Sequence, residues 1–194
     1  MAYKHGVYTS EVPTSVVPAV NTTAGLPVVF GTAPVHLASE RAQSNKPILC
    51  YSYAEAVQQL GYSKDWAKYT LCEVMYSQFA LYNRGPVVFV NVLDPKTHKK
   101  STSSKNVTVT NKVAKVDAPV LLDTLQIKAS TAGSALIDGS DYEAAYDDDG
   151  VLVITLLDDG TATAASNLTL TYDEIDAAAV DADDIIGGIN VSDG

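Results

Sequence analysis

The hydrophobic pattern changes once along this 194-residue chain, at Asp94-Pro95, and that change limits the folds open to it. Before it, three short continuous apolar runs, "LPVVFGTA" (26–33), "PILCY" (47–51) and "PVVFVNVL" (86–93), are separated by segments of helical period. Continuous runs of this length between Gly and Pro predict strands buried on both faces. After it, apolar residues alternate with polar ones, the period of strands with one face in a core.

The first helix is predicted over "SYAEAVQQLG". Ser52 and Glu55 have capping-box spacing, each able to satisfy the other's free backbone N–H, and Gly61 is placed to end the helix in a left-handed conformation. A longer helix is predicted from near Ser63. In it Tyr69, Cys72, Met75, Tyr76, Phe79 and Tyr82 form one apolar stripe, closed by Gly85-Pro86. Strand, strand, helix, helix, strand predicts an α/β layer of mixed or parallel strands. "KTHKKSTSSK" (96–105) reads as a basic linker. Beyond it, "NVTVTNKVAKV", "LDTLQIKAS", "YEAAYDDDGVLVITLLDDG" and "NLTLTYDEI" predict a small antiparallel β domain. Its clearest hairpin joins Tyr142–Tyr146 to Val151–Leu157 through an Asp-rich turn. "DADDIIGGIN" returns to helix. The expected fold class is therefore α/β (α+β). The domains expected are an extended arm (1–24), an α/β part (25–98) rejoined by 177–194, and an inserted β domain (99–176).

Charge divides along the same chain. The net charge is −10, but residues 129–194 hold fifteen acids and no Lys or Arg, whereas residues 1–128 hold thirteen bases and eight acids. The two parts complement each other or face different surroundings, and the acidic part is a poor surface for nucleic acid. No apolar stretch is long enough to cross a membrane, and "MAYKHGVYTS" has no apolar core of a secretory signal. With only Cys50 and Cys72, the chain is expected to be made in a reducing cytoplasm.

Few residues suggest catalysis. His5, His36 and His98 have no zinc spacing, Cys50 and Cys72 lie in a strand and on the apolar stripe, and no nucleophile elbow or phosphate loop occurs. "DDDG" and "DDG" fail EF-hand spacing, because Gly150 at the sixth position would put Ala145 first and Leu156 twelfth, and Gly160 would put Thr155 first. Turn chemistry explains both. The sequons at Asn21, Asn106, Asn167 and Asn190 read as chance matches. No catalytic, cofactor or metal residue is assigned, and no cofactor is expected.

The arm is more informative. In "HGVYTSEVPTSVVPAV" (5–20) a strand pattern precedes Pro13 and Pro18. A terminal strand without an evident partner can pair with the sheet edge of another molecule, and proline restricts which of its own edges pairs. "HGVYTSEVPTSVVPAVNTTAGLPVVFGTAPVHLA" (5–38) resembles the N-terminus of phage contractile tail-sheath proteins of Gram-positive phages and prophages. The likeness continues more weakly through "YSYAEAVQQLGY" and "GPVVFVNVLDP" and ends at "ADDIIGGIN"; residues 100–176 carry none of it.

The resemblance implies a partial mixed-sheet sheath core. It implies a structural subunit, not an enzyme, that polymerises with itself into six-fold rings around the tail tube protein. Such a sheath meets baseplate and tail terminator proteins at its ends and contracts to drive the tube through the host envelope. Expected partners include no nucleic acid and no inserted membrane; the expected place is the virion tail, after assembly in the host cytoplasm. Residues Gly6, Val7, Tyr8, Thr9, Ser10, Glu11, Val12 and Pro13 would form the inter-subunit arm. Sheath proteins of this type are about twice as long, so the chain is expected to match an N-terminal portion and to expose apolar surface and unpaired strand edges. A bacteriocin-like tail or another contractile injection system fits the same residues. So would a surface-binding β module, if Tyr142, Tyr146 and Tyr172 formed an exposed platform.

Overall fold

The computed structural model describes residues 25–130 and 133–186. The arm residues Gly6 to Pro13 lie outside that range.

The first part is built on a three-stranded sheet of β1 (Val28–Gly31), β2 (Pro47–Cys50) and β3 (Val87–Asn91), with β3 in the middle. β1 runs parallel to β3 and β2 antiparallel to it, so the sheet is mixed as the pattern predicts. α1 (Tyr53–Leu60) and α2 (Thr70–Met75) supply apolar side chains to the same hydrophobic core as one face of that sheet. The core contains Cys50, Ala56, Leu60, Leu71, Cys72, Met75, Val87 and Phe89.

The start of α1 is capped nearly as expected. Glu55 N–H donates to Ser52 Oγ at 3.2 Å, but the Glu55 carboxylate accepts from Tyr51 N–H at 2.9 Å, one residue earlier than the capping box requires. Gly61 ends the helix at φ +74°, ψ 173°, a positive-φ extended conformation and not the left-handed helical one. A Cβ there would lie 2.3 Å from the Pro34 carbonyl oxygen, so close packing against 34–38 selects glycine.

The second helix is shorter than expected. Residues near Asp65 make turns, with the Asp65 carbonyl accepting from Lys68 and Tyr69 N–H. α2 begins at Thr70 and passes into a π-helical segment, Tyr76–Leu81. The wider π winding rotates the later residues. Tyr69, Cys72, Met75 and Phe79 are buried, while Tyr76 and Tyr82 of the expected stripe face outward.

The second part holds two three-stranded antiparallel sheets. β4 (Lys99–Thr108), β9 (Asn167–Ile175) and β6 (Gln126–Lys128) form one, in the order β4-β9-β6. β5 (Val113–Val116), β8 (Leu152–Leu156) and β7 (Tyr142–Tyr146) form the other, in the order β5-β8-β7. Alternate residues Leu152, Ile154 and Leu156, and Leu168, Leu170 and Tyr172, meet Ala114, Val116 and Ile127 in a second core.

The segment read as a basic linker is mostly strand. β4 pairs along β9, and tertiary pairing overrides its low apolar content. Lys99 pairs with Asp173 at 2.5 Å and Lys100 with Asp176 at 2.7 Å. "NVTVTNKVAKV" forms the end of β4, a turn and β5. Asn111 and Lys112, at φ +52° and +66°, make a two-residue hairpin turn between β4 and β5, with Thr110 and Val113 exchanging backbone hydrogen bonds. At the Asp-rich turn, Asp147 Oδ1 accepts from Asp149 and Val151 N–H, and Gly150 sits at φ +77°.

Candidate functional site

β1 and β2 were expected to be buried on both faces, and they are not. Pairing registers align Val28, Val88 and Leu49 in one row across the sheet and Phe30, Val90 and Pro47 in the next. All six are apolar. Val28 and Phe30 are 54% exposed and Leu49 39%, whereas Val87, Phe89 and Cys50 on the opposite side are fully buried. The layer that would cover this face is missing among the described residues, so the apolar sequence of β1 and β2 records a burial these residues do not supply. Tyr51, Leu81 and Tyr82 are further exposed apolar residues of this part of the chain.

The strand edges differ in openness. At the C-terminal end of β1, Thr32 N–H donates to Thr70 Oγ1 and Thr32 O accepts from Leu71 N–H, so α2 closes that end. Val88 N–H donates to Pro27 O and Val92 N–H to Gly31 O, which turns the backbone groups of Val28 and Phe30 to the outer edge. Pro47, on β2, has no N–H to offer an outer partner.

A junction joins the two parts. Leu121, just before the turn that leads to β6, and Ile175, the last residue of β9, belong to the first core although they lie in the second part. His36 lies between Tyr69 (ring centroids 6.0 Å apart) and Tyr146 (5.3 Å, edge to face). A cavity of about 660 Å³ there is lined in part by His36, Tyr69, Lys68, Tyr146 and Asp147. Burial, then Lys68 and Arg41, lower the His36 pKa to about 3, so the imidazole stays neutral. The side chain of Tyr146 donates to Val120 O at 2.7 Å. His98 is also buried; its Nδ1 accepts from Asp94 N–H at 2.9 Å and its Nε2 lies 3.2 Å from Asp184.

The two cysteines are not poised as nucleophiles. Burial pushes both the Cys50 and Cys72 thiols up to about 11, against thiolate formation. Among the described residues no cluster of three metal-ligating side chains occurs. Tyr142 and Tyr172 are buried in the second core and Tyr146 is held at the junction, so the three tyrosines form no exposed platform. The charge division is partly internal. Each ion pair among the described residues joins a Lys or His before residue 129 to an Asp after it.

The tail sheath protein of Burkholderia phage BcepMu is 31% identical over 196 aligned residues, which cover 98% of this chain and 38% of that protein. The chain thus spans well under half the length of this relative. No protein-family model matches the chain, and no solved structure does.

Proposed function

The chain is a relative of a phage tail sheath protein along nearly its whole length, and from that premise we propose that it acts as a structural subunit of a contractile phage tail sheath. It polymerises with itself around the tail tube, in six-fold rings, and contracts to drive the tube through the host envelope. The relationship over 98% of the chain carries this reading. The bare apolar sheet face supports it, because a subunit of a polymer buries such a face on assembly. The role is mechanical and not catalytic. Work comes from the free-energy difference between two packings of the same subunits.

In this reading residues 1–24 are an arm whose strand, Gly6 to Pro13, pairs with a neighbouring subunit. Residues 25–98 with 177–194 contribute to the sheath core, and 99–176 are an insertion facing outward. The tail tube, baseplate and tail terminator proteins are the partners, and the virion tail is the site of action after assembly in the host cytoplasm. Electron microscopy of the protein expressed from its complete reading frame tests this. Hollow tubes or stacked rings that disappear on deletion of residues 1–13 are expected. Compact, monodisperse particles from the intact product would refute the polymer.

A further inference from the structure

The cavity at the junction is walled by both parts of the chain, and its two sides differ in charge. The first part contributes Lys64 and Lys68, with Asp65 between them, and the second contributes Asp117, Asp148 and Asp149. All six are exposed, so they form the rim. Among the described residues no ion pair joins one side to the other. Aromatic rings make up much of the remaining wall: Tyr53 packs edge to face on Tyr62 with centroids 5.5 Å apart, as His36 does on Tyr146. The volume of about 660 Å³ falls in the range of roughly 300–1,000 Å³ common to small-molecule sites. Two side chains of this wall also lack partners. His36 is 9% exposed and Tyr69 4%, yet His36 Nδ1 and the Tyr69 hydroxyl have no hydrogen-bond partner among the described residues. Buried polar groups are nearly always paired, so two orphans in one wall point to an occupant with hydrogen bonds to offer.

The donor set selects the chemistry of that occupant. An ionised aspartate only accepts and a lysine only donates, whereas a neutral imidazole and a phenol do both. A ligand with one kind of charge would be drawn to one side of the rim and repelled by the other, and ion pairs at an exposed rim gain little. Hydroxyl groups serve both sides at once, donating to carboxylates and accepting from ammonium groups. The C–H face of a sugar ring supplies the apolar surface that packs on aromatic rings. We infer that the junction cavity binds a short neutral saccharide, with Asp117, Asp148 and Asp149 accepting from its hydroxyls, Lys64 and Lys68 donating to them, and His36 and Tyr69 completing the inner wall. The site is formed within one chain, so it depends neither on polymerisation nor on the sheath reading.

The test titrates the isotopically labelled 194-residue chain with maltotriose, mannotriose, galactotriose and tri-N-acetylchitotriose, and follows backbone amide shifts by NMR. Saturable shifts with at least one of them are expected at His36, Ser63 to Tyr69 and Asp148 to Gly150. Added salt should leave that affinity unchanged, because the ligand carries no charge. Tyr69→Phe removes only the orphaned hydroxyl, so it should weaken binding about tenfold while the urea midpoint holds or rises. The exposed pair Asp148→Ala with Asp149→Ala should weaken binding several-fold without unfolding the chain. No shift with any of the four sugars, or shifts confined to other segments, would overturn the site. Shifts with the zwitterionic dipeptide Lys-Glu and with no saccharide would overturn the ligand class in favour of a charged one. Full affinity in Tyr69→Phe would overturn the part given to the orphaned hydroxyl, on which the inference rests.

Discussion

Asn91 ends β3, is almost completely buried and makes three hydrogen bonds. Its Oδ1 accepts from Ala33 N–H at 3.1 Å and Leu93 N–H at 3.2 Å, and its Nδ2 donates to Leu93 O at 2.9 Å. It therefore ties the end of β1 to the bend after β3. In Asn91→Ala, two buried N–H groups lose their acceptor, while Leu93 O still accepts from Ser44 Oγ at 3.0 Å. At about 1.5 kcal/mol for each orphaned donor, the loss is about 3 kcal/mol. For a chain of this size that lowers the melting temperature by about 6–12 °C. Trp66 is the only tryptophan and lies in the first part, 5.6 Å from Tyr76 between ring centroids, so its fluorescence in urea follows the relevant core. Asn167→Ala, which removes an exposed bond to Ser166, is the control and should cost at most about 0.5 kcal/mol. A loss below about 1 kcal/mol for Asn91→Ala would refute the argument that these N–H groups have no other acceptor.

Gly61→Ala should destabilise the first part by at least about 2 kcal/mol, since positive φ is compounded by the approach to Pro34 O; an unchanged urea midpoint would count against that packing. Asp141 accepts from Ile137 N–H, Thr161 N–H and the Thr161 hydroxyl, and these bonds hold its carboxyl below the usual range. A carboxyl with a depressed folded-state pKa stabilises above its unfolded value, near 3.9, and that stability is lost as pH falls through the folded value. Asp141→Asn should therefore flatten stability against pH below about 4, and an unchanged slope in acid unfolding would contradict the assignment. Cys50 and Cys72 should resist a thiol reagent at pH 8 in the native chain and react in urea; rapid native labelling of either would contradict their burial.

Local signals are legible wherever the cause is local. Ser52 and the Asp147–Gly150 turn act through backbone groups within a few residues, and each appears where its chemistry places it; Gly61 ends α1 as read, but its conformation is set by packing against Pro34 and not by the helix end alone. The hairpin of β7 and β8 is readable because turn residues and alternation agree. β4 is not, because Lys99 to Lys105 become strand through pairing with residues about seventy positions away. The outward turn of Tyr82 comes after the π winding of Tyr76–Leu81, which no periodic pattern announces. The junction of His36, Tyr69 and Tyr146 is hidden from the sequence because its members come from three separate segments; an isolated histidine after the first strand is the sole hint.

The residues alone thus settle α1, the β7–β8 hairpin and the Asp-rich turn, since these depend on period and on bonds to near neighbours. Tertiary structure decides which faces are covered. Val28 and Phe30 have the sequence of a doubly buried strand, yet only the assembled sheet reveals that their outer face has no layer upon it among the described residues. Burial is a property of what packs across the sheet, and a strand's own residues record the demand for that partner without identifying it.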